Sequence, residues 1–335
     1  MTERVRWGVI STAKIGREKV LPAMQRSERC TIAAIASRDF SAAQRVAAEL
    51  GIAQAYGSYE ELLADPTIEA VYNPLPNHLH VPLSIRAMAA GKHVLCEKPI
   101  ALTAEEATQL VAARERTGKL VAEAFMVRQN LQWLRARDIA RSGALGEVRA
   151  IQTFFSYHNV DPANVRNQSE IGGGGIMDIG CYAIVTARYI FGAEPTRVAA
   201  LIDRDPAMGI DRLASALIEF SGGRHLTFTC ATQLAPQQRV TIAGTKARLE
   251  VLVPFNAPND RPCVIVVDDG RDLFGGGATV ENLPVVDQYV LQGDAFSRAV
   301  RGEQALEFPI EDAVLNMRVI DAVFRAGASG RWEAP

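Results

Sequence analysis

The chain has 335 residues, too many for one ordinary core, which points to two domains of roughly 150 residues each. Hydrophobic residues make up 48% and charged residues 22%, the composition of a folded soluble protein, so disordered and fibrous classes drop out. The formal charge of -2 arises from 36 basic and 38 acidic residues that form no long basic run, so no nucleic-acid partner is expected.

The first residues carry charge at Glu3, Arg4 and Arg6 and run straight into a strand-like segment, and no stretch approaches 18 uninterrupted apolar residues. We therefore expect neither a leader nor a membrane span. From residue 5 to about 123 short β-branched runs alternate with helix-period segments. VRWGVIS (Val5 to Ser11) precedes a helix to about Met24, and CTIAAIAS (Cys30 to Ser37) precedes a helix over Phe40 to Leu50. AVYNPL (Ala70 to Leu75) leads to a helix through His80 to Ala90, HVLCEK (His93 to Lys98) to one through Glu105 to Arg116, and LVAEAF (Leu120 to Phe125) follows. Strands apolar on both faces, joined by helices, predict a doubly wound parallel sheet.

After a helix at about Asn130 to Arg141 and a stop at Gly143 to Gly146, the period changes to long alternating strands: VRAIQTFFSYH, RVAALID, LASALIEF, RHLTFTCAT and RVTIAGTKARLEVLV. These predict an α+β unit around a large open, mainly antiparallel sheet, with helices at about Ile176 to Phe191 and Ile310 to Phe324. The expected domains are 1–125 and 126–335. Cys30, Cys96, Cys181, Cys230 and Cys263 are widely spaced among apolar neighbours, as reduced core thiols are, which suggests a cytoplasmic protein. His78 and His80 have no Cys or carboxylate cluster beside them, so no metal site is expected.

Three segments carry chemistry. The turn after the first strand places Ser11, Ala13 and Gly16 where a dinucleotide fingerprint has three glycines. The residues Ser11, Thr12, Ala13, Lys14, Ile15 and Gly16 are small enough in the key places for a pyrophosphate to approach the helix amino end. The alternative is a βα turn that is merely small. The second strand ends in Ser37-Arg38, where an NAD enzyme presents an acid to the ribose 2′-hydroxyl. A guanidinium there forks a 2′-phosphate, so the cofactor expected is NADP rather than NAD, with Asp39 capping the next helix. LCEKP puts Lys98 at the carboxy end of a strand, the ligand-binding edge of an open α/β sheet. Lysine is scarce here, six against 30 arginines, although a solvated strand-end charge is the plain alternative.

The Rossmann turn, PLPNHLH (Pro74 to His80), AGKHVLCEKP (Ala90 to Pro99) and GGGGIMDIGCYAI (Gly172 to Ile184), in that order, resemble the Gfo/Idh/MocA oxidoreductases over nearly the whole chain. The resemblance implies an NADP-binding Rossmann domain, a carboxy-terminal domain for substrate and oligomerisation, and a substrate held over the nicotinamide. It adds Pro74, Asn77, His80 and Glu97 to the cofactor contacts. It also implies that Lys98 is catalytic and that Asp178 and Tyr182 stand beside the substrate. A spacing of four puts those two on one face of a helix; the alternatives are a helix-dipole partner and a core aromatic. Tyrosine at 182 and EAFMVR (Glu123 to Arg128) resemble the branch with NADP-linked D-xylose dehydrogenases, dimeric dihydrodiol dehydrogenases and glucose-fructose oxidoreductase, while Gln129 and Asn130 depart from it.

The reading is hydride transfer between nicotinamide and a carbinol or carbonyl carbon of a carbohydrate-like small molecule, such as an aldose. Tyr182 acts as acid/base, Lys98 as electrostatic partner and Asp178 as orienting acceptor; the first two roles are interchangeable. Free Tyr and Lys titrate near 10 and about 10.4, so a nearby Lys98 charge is expected to lower the phenol. The alternatives are a trans-dihydrodiol dehydrogenase, a keto-sugar reductase and, from another class, a non-catalytic NADP-binding redox sensor. A homodimer or homotetramer is expected.

Overall fold

The computed structural model describes residues 3–335. The chain divides into two compact units, one of Met1–Met126 with Asp287–Val314 and one of Val127–Val286 with Leu315–Pro335.

The first unit is built on six parallel strands: β1 (Val5–Ile10), β2 (Cys30–Ala36), β3 (Gln54–Tyr56), β4 (Ala70–Asn73), β5 (His93–Cys96) and β6 (Val121–Glu123), in the order β3-β2-β1-β4-β5-β6. β1, β2, β4 and β5 are buried nearly throughout because helices cover both faces of the sheet, which is why they read as continuous apolar runs rather than as alternation. The chain reverses direction across the sheet between β1 and β4, and the carboxy ends of strands at such a switch point are where open α/β sheets bind ligands. The helix over Gln288–Val300 belongs here too: Phe296 packs on Trp7 with ring centroids 5.4 Å apart, and the Trp7 indole N–H donates to Ser297 Oγ at 3.3 Å. Sequence periodicity gives no sign of this, since the segment lies far along the chain from the sheet it covers. The short β3 and the helix Tyr59–Ala64 also fall below the length at which a pattern is legible.

The second unit contains β7 (Val148–His158), β8 (Pro195–Arg204), β9 (Asp211–Phe220), β10 (Arg224–Ala231), β11 (Gln233–Gly244), β12 (Arg248–Val251), β13 (Val264–Asp268) and β14 (Ala278–Asn282). They form one sheet, β14-β13-β12-β11-β7-β10-β9-β8, antiparallel except for the parallel pair β7 and β10. The mainly antiparallel expectation holds, and β13 and β14 are additions to it. On the core side Phe255 sits between Trp133, Phe155 and Tyr182, at centroid distances of 6.3, 4.9 and 5.2 Å. The other side of the sheet carries Leu201 (79% exposed) and Leu217 among Ser215, Thr227, Thr229 and Arg239.

Among the described residues all five cysteines are buried and free, and no helix is long and apolar enough to cross a membrane.

Candidate active site

In the first unit, β1 delivers the chain to a turn in which Ser11 takes φ 105°, the left-handed region that favours glycine and costs another residue about 1–3 kcal/mol. Its own side chain offsets part of that cost: Ser11 Oγ accepts from the Ala13 amide at 3.0 Å, while the Ser11 amide donates to the Ala36 carbonyl at 2.8 Å. A π-turn over Gly16–Val20 and an α-helix over Leu21–Gln25 follow. Lys14 is exposed and 3.9 Å from Glu18, while Thr12, Ala13 and Ile15 are half-buried.

A Cβ placed on Gly16 would meet Tyr72 at 3.5 Å and Pro74 at 3.7 Å, ordinary contact distances. Packing of helix on sheet thus does not dictate glycine at 16, and the space its missing side chain leaves at a helix start suits the close approach of a phosphate. Pro74 is thereby placed beside the first turn. Asn77 opens a short 3-10 turn, Asn77–Leu79, at the start of the helix His80–Ala89.

Ser37 and Arg38 follow β2, with Arg38 exposed and its guanidinium interacting with the Tyr59 hydroxyl. Asp39 caps the helix Phe40–Leu50: its carboxylate accepts from the Ala42 amide at 3.1 Å and lies 4.0 Å from Arg45. A carboxylate so engaged is poorly placed to hold a ribose 2′-hydroxyl. Asp39→Ala is expected to cost about 0.5–2 kcal/mol of stability in denaturant unfolding, the worth of an N-cap, and to leave the balance between NADP and NAD unchanged in a binding titration.

Glu97 accepts from the Tyr72 hydroxyl at 2.6 Å, and the Lys98 amide lies 3.3 Å from its other oxygen. Lys98 is half-buried directly after β5, whose register places Cys96 beside Asn73 of β4. His80 departs from expectation. It is buried, with Nδ1 2.7 Å from the Pro99 carbonyl and Nε2 2.6 Å from the Leu75 carbonyl, and burial lowers it to about 4. Both ring nitrogens are turned inward, so His80 ties the loop after β4 to the Lys98-Pro99 segment instead of presenting its ring to a cofactor.

In the second unit the π-turn Ile176–Gly180 carries Asp178 and runs into the helix Cys181–Phe191 that carries Tyr182. The Asp178 carboxylate is pinned by two residues the sequence reading missed: the Tyr157 hydroxyl donates to it at 2.7 Å and Arg166 Nε at 3.0 Å. The Asp178 charge raises Arg166, and Asp178, Arg166 and Tyr157 form one polar cluster. Burial, reinforced by Asp178, raises the Tyr157 phenol too, which fixes it as a donor. Tyr182 is 6% exposed, its ring held against Phe155 and Phe255. Core anchorage of the Tyr182 ring is compatible with the catalytic reading, because it holds the phenol in one place. No short-range spacing announces Tyr157 near the end of β7 or Arg166 in the short 3-10 turn Val165–Asn167; only the tertiary fold brings them to Asp178.

The oxidoreductase family with an NAD-binding Rossmann fold, GFO/IDH/MocA, matches residues 5–125, and the GFO/IDH/MocA C-terminal domain matches residues 133–250. An oxidoreductase of Rhizobium meliloti is 48% identical over 329 residues, 98% of each chain. The D-xylose 1-dehydrogenase (NADP(+)) 2 of Haloferax volcanii is 37% identical over 97% of this chain and 98% of that one. Among solved structures, a 3-ketoreductase from Actinomadura kijaniata in complex with NADP and TDP-benzene aligns with a TM-score of 0.91 at 29% identity, covering 97% of this chain and 98% of that chain. The chain belongs to the GFO/IDH/MocA oxidoreductase family.

Proposed function

We propose that this member of the GFO/IDH/MocA oxidoreductases is an NADP-dependent enzyme that oxidises or reduces a CH–OH carbon of a carbohydrate-like substrate, with an aldose as the first choice. The observation that carries the substrate class is the polar cluster of Tyr157, Arg166 and Asp178, because convergent donors and acceptors suit a hydroxyl-rich molecule. Residues 1–125 serve the cofactor and residues 126–335, apart from the segment Asp287–Val314 that packs in the first unit, the substrate and subunit contacts. The reduced thiols support a cytoplasmic setting.

The groups present in the first unit fit NADP. The first turn from Ser11 to Gly16 would hold the pyrophosphate, Ser37 and Arg38 the 2′-phosphate, and Pro74, Asn77, Glu97 and Lys98 the remainder. The cofactor, when bound, supplies the hydride acceptor or donor. The chain's own residues handle the proton: Tyr182 takes it from the substrate hydroxyl or returns it, Lys98 supplies positive charge and a hydroxyl-binding donor, and Asp178 orients. Asp178 is suited to that role because Tyr157 and Arg166 restrict its carboxylate to one position.

The 32% identity over 251 residues to a trans-1,2-dihydrobenzene-1,2-diol dehydrogenase of Mus musculus favours a second reading, a trans-dihydrodiol dehydrogenase. A screen of aldoses, inositols, keto sugars and dihydrodiols, read by nicotinamide absorbance with NADP(H) and NAD(H), separates the two. Turnover of sugars is the expected result; turnover of dihydrodiols alone selects the second reading, and cofactor binding without any turnover selects a redox sensor.

The open side of the second unit's sheet, where Leu201 and Leu217 lie among threonines and serine, is expected to pair with another copy, since apolar groups on a broad exposed sheet are penalised by water. Light scattering at micromolar concentration is expected to give a dimer or tetramer. A monomer mass would reject this arrangement, and Leu201→Lys should shift the equilibrium toward monomer.

A further inference from the structure

The run Gly172 to Gly175 resembles a phosphate-binding loop in composition, but the protein itself fills the space. A Cβ on Gly173 would come within 2.7 Å of the Arg166 and Gln168 carbonyls, and one on Gly174, where φ is +120°, would overlap the Asp211 carboxylate. Asp211 is the first residue of β9, 1% exposed, and its Oδ2 accepts from the Ile176 amide at 2.5 Å. It also accepts a backbone hydrogen bond from Gly175. A remote strand, and no residue of the glycine run, therefore caps the start of the segment that bears Asp178 and Tyr182. Two orphan amides of a helix start thereby find a buried acceptor.

We propose that Asp211 is a positioning residue whose carboxyl, lodged in the space the glycines leave, sets the placement of Asp178 and Tyr182 and changes it when the carboxyl gains or loses its proton. Burial pushes this group up to about 7 against the pull of the helix amides, so the change falls near neutral pH. The charged neighbour that acts on it opposes that rise. Arg204 of β8, paired with Asp211 in register, favours the carboxylate. Cys230 of β10 is held protonated by burial and by Asp211 itself, with Cys181 and Asp178 adding to the shift from the helix side. On its own strand Arg212 is paired with Asp203.

The folded-state value lies above the ordinary 3.8. The stability contributed by this group is therefore complete below about pH 4 and is lost as pH rises through about 7. Asp211→Asn should flatten that slope in thermal unfolding.

The proposal rests on the reading of Asp178 and Tyr182 as site residues, and its test does not need turnover. In labelled wild-type protein followed by NMR across neutral pH, the Ile176 amide and the Tyr182 ring signals are expected to move with one shared midpoint. In Asp211→Asn neither should move. A flat Ile176 amide in the wild type overturns the proposal, and does so even if the variant fails to fold. A Tyr182 ring that ignores the Ile176 transition, or that titrates unchanged in the variant, overturns it as well. With a substrate in hand, Asp211→Asn should lower turnover on the order of 10- to 100-fold, the scale of a misplaced catalytic group, and erase the neutral limb of the pH profile. An unchanged profile counts against the proposal. Shared titration in a protein that turns over no substrate supports the positioning and refutes only the proposed activity.

Discussion

Lys98→Met and Tyr182→Phe are each expected to lower the turnover rate by about 10²- to 10⁴-fold, the usual scale for loss of an acid/base group. The two residues belong to different units of the fold, Lys98 after β5 and Tyr182 in the helix Cys181–Phe191. If they serve the same substrate hydroxyl they act as one device, and the double replacement should cost far less than the product of the two single losses. Multiplicative losses would instead mean two independent contributions. NADPH affinity should change little in Tyr182→Phe, because the phenol is assigned to the substrate and the ring keeps its contacts with Phe155 and Phe255. The division of labour is decided by the pH profile of turnover in Lys98→Met. A basic limb that shifts to higher pH shows that Lys98 lowers the phenol; a limb that stays in place shows that it does not.

How much of this was legible beforehand depends on how far along the chain each contact reaches. The helix Phe40–Leu50 and the strand Cys30–Ala36 were readable because caps, β-branched runs and helical periodicity are local signals. The helix Gln288–Val300 carries such signals too, an Asp287 cap among them, but its place over Trp7 at the opposite end of the sequence does not show in them. The same division runs through the site. Asp178 and Tyr182 lie in one short motif, whereas Tyr157, Arg166 and Asp211 reach the π-turn from a strand end, a 3-10 turn and a second strand. Each of these three satisfies or neutralises a polar group that the motif alone leaves open. His80 shows the converse: a motif residue that resembles a ligand contact has both ring nitrogens facing carbonyls of its own unit.

Arg38→Ala is expected to weaken NADP binding by about 1.5 to 3 kcal/mol, the range for a charge-assisted hydrogen bond, or roughly 10- to 150-fold in the dissociation constant. NAD binding should stay nearly constant. The argument turns on which charges at the end of β2 remain available. Asp39 is committed to the Ala42 amide and faces Arg45, so the acid that would recognise a 2′-hydroxyl is already used as a cap. Arg38 is exposed, and its interaction with Tyr59 steadies a guanidinium at the strand end without neutralising it. Arg38→Lys should recover only part of the affinity, because an ammonium is a point charge where the guanidinium offers a planar fork. Binding is best followed by fluorescence titration at fixed ionic strength, since added salt weakens an exposed phosphate contact. Equal losses for NADP and NAD in Arg38→Ala would place the arginine away from the 2′-phosphate and assign the preference for NADP to another residue.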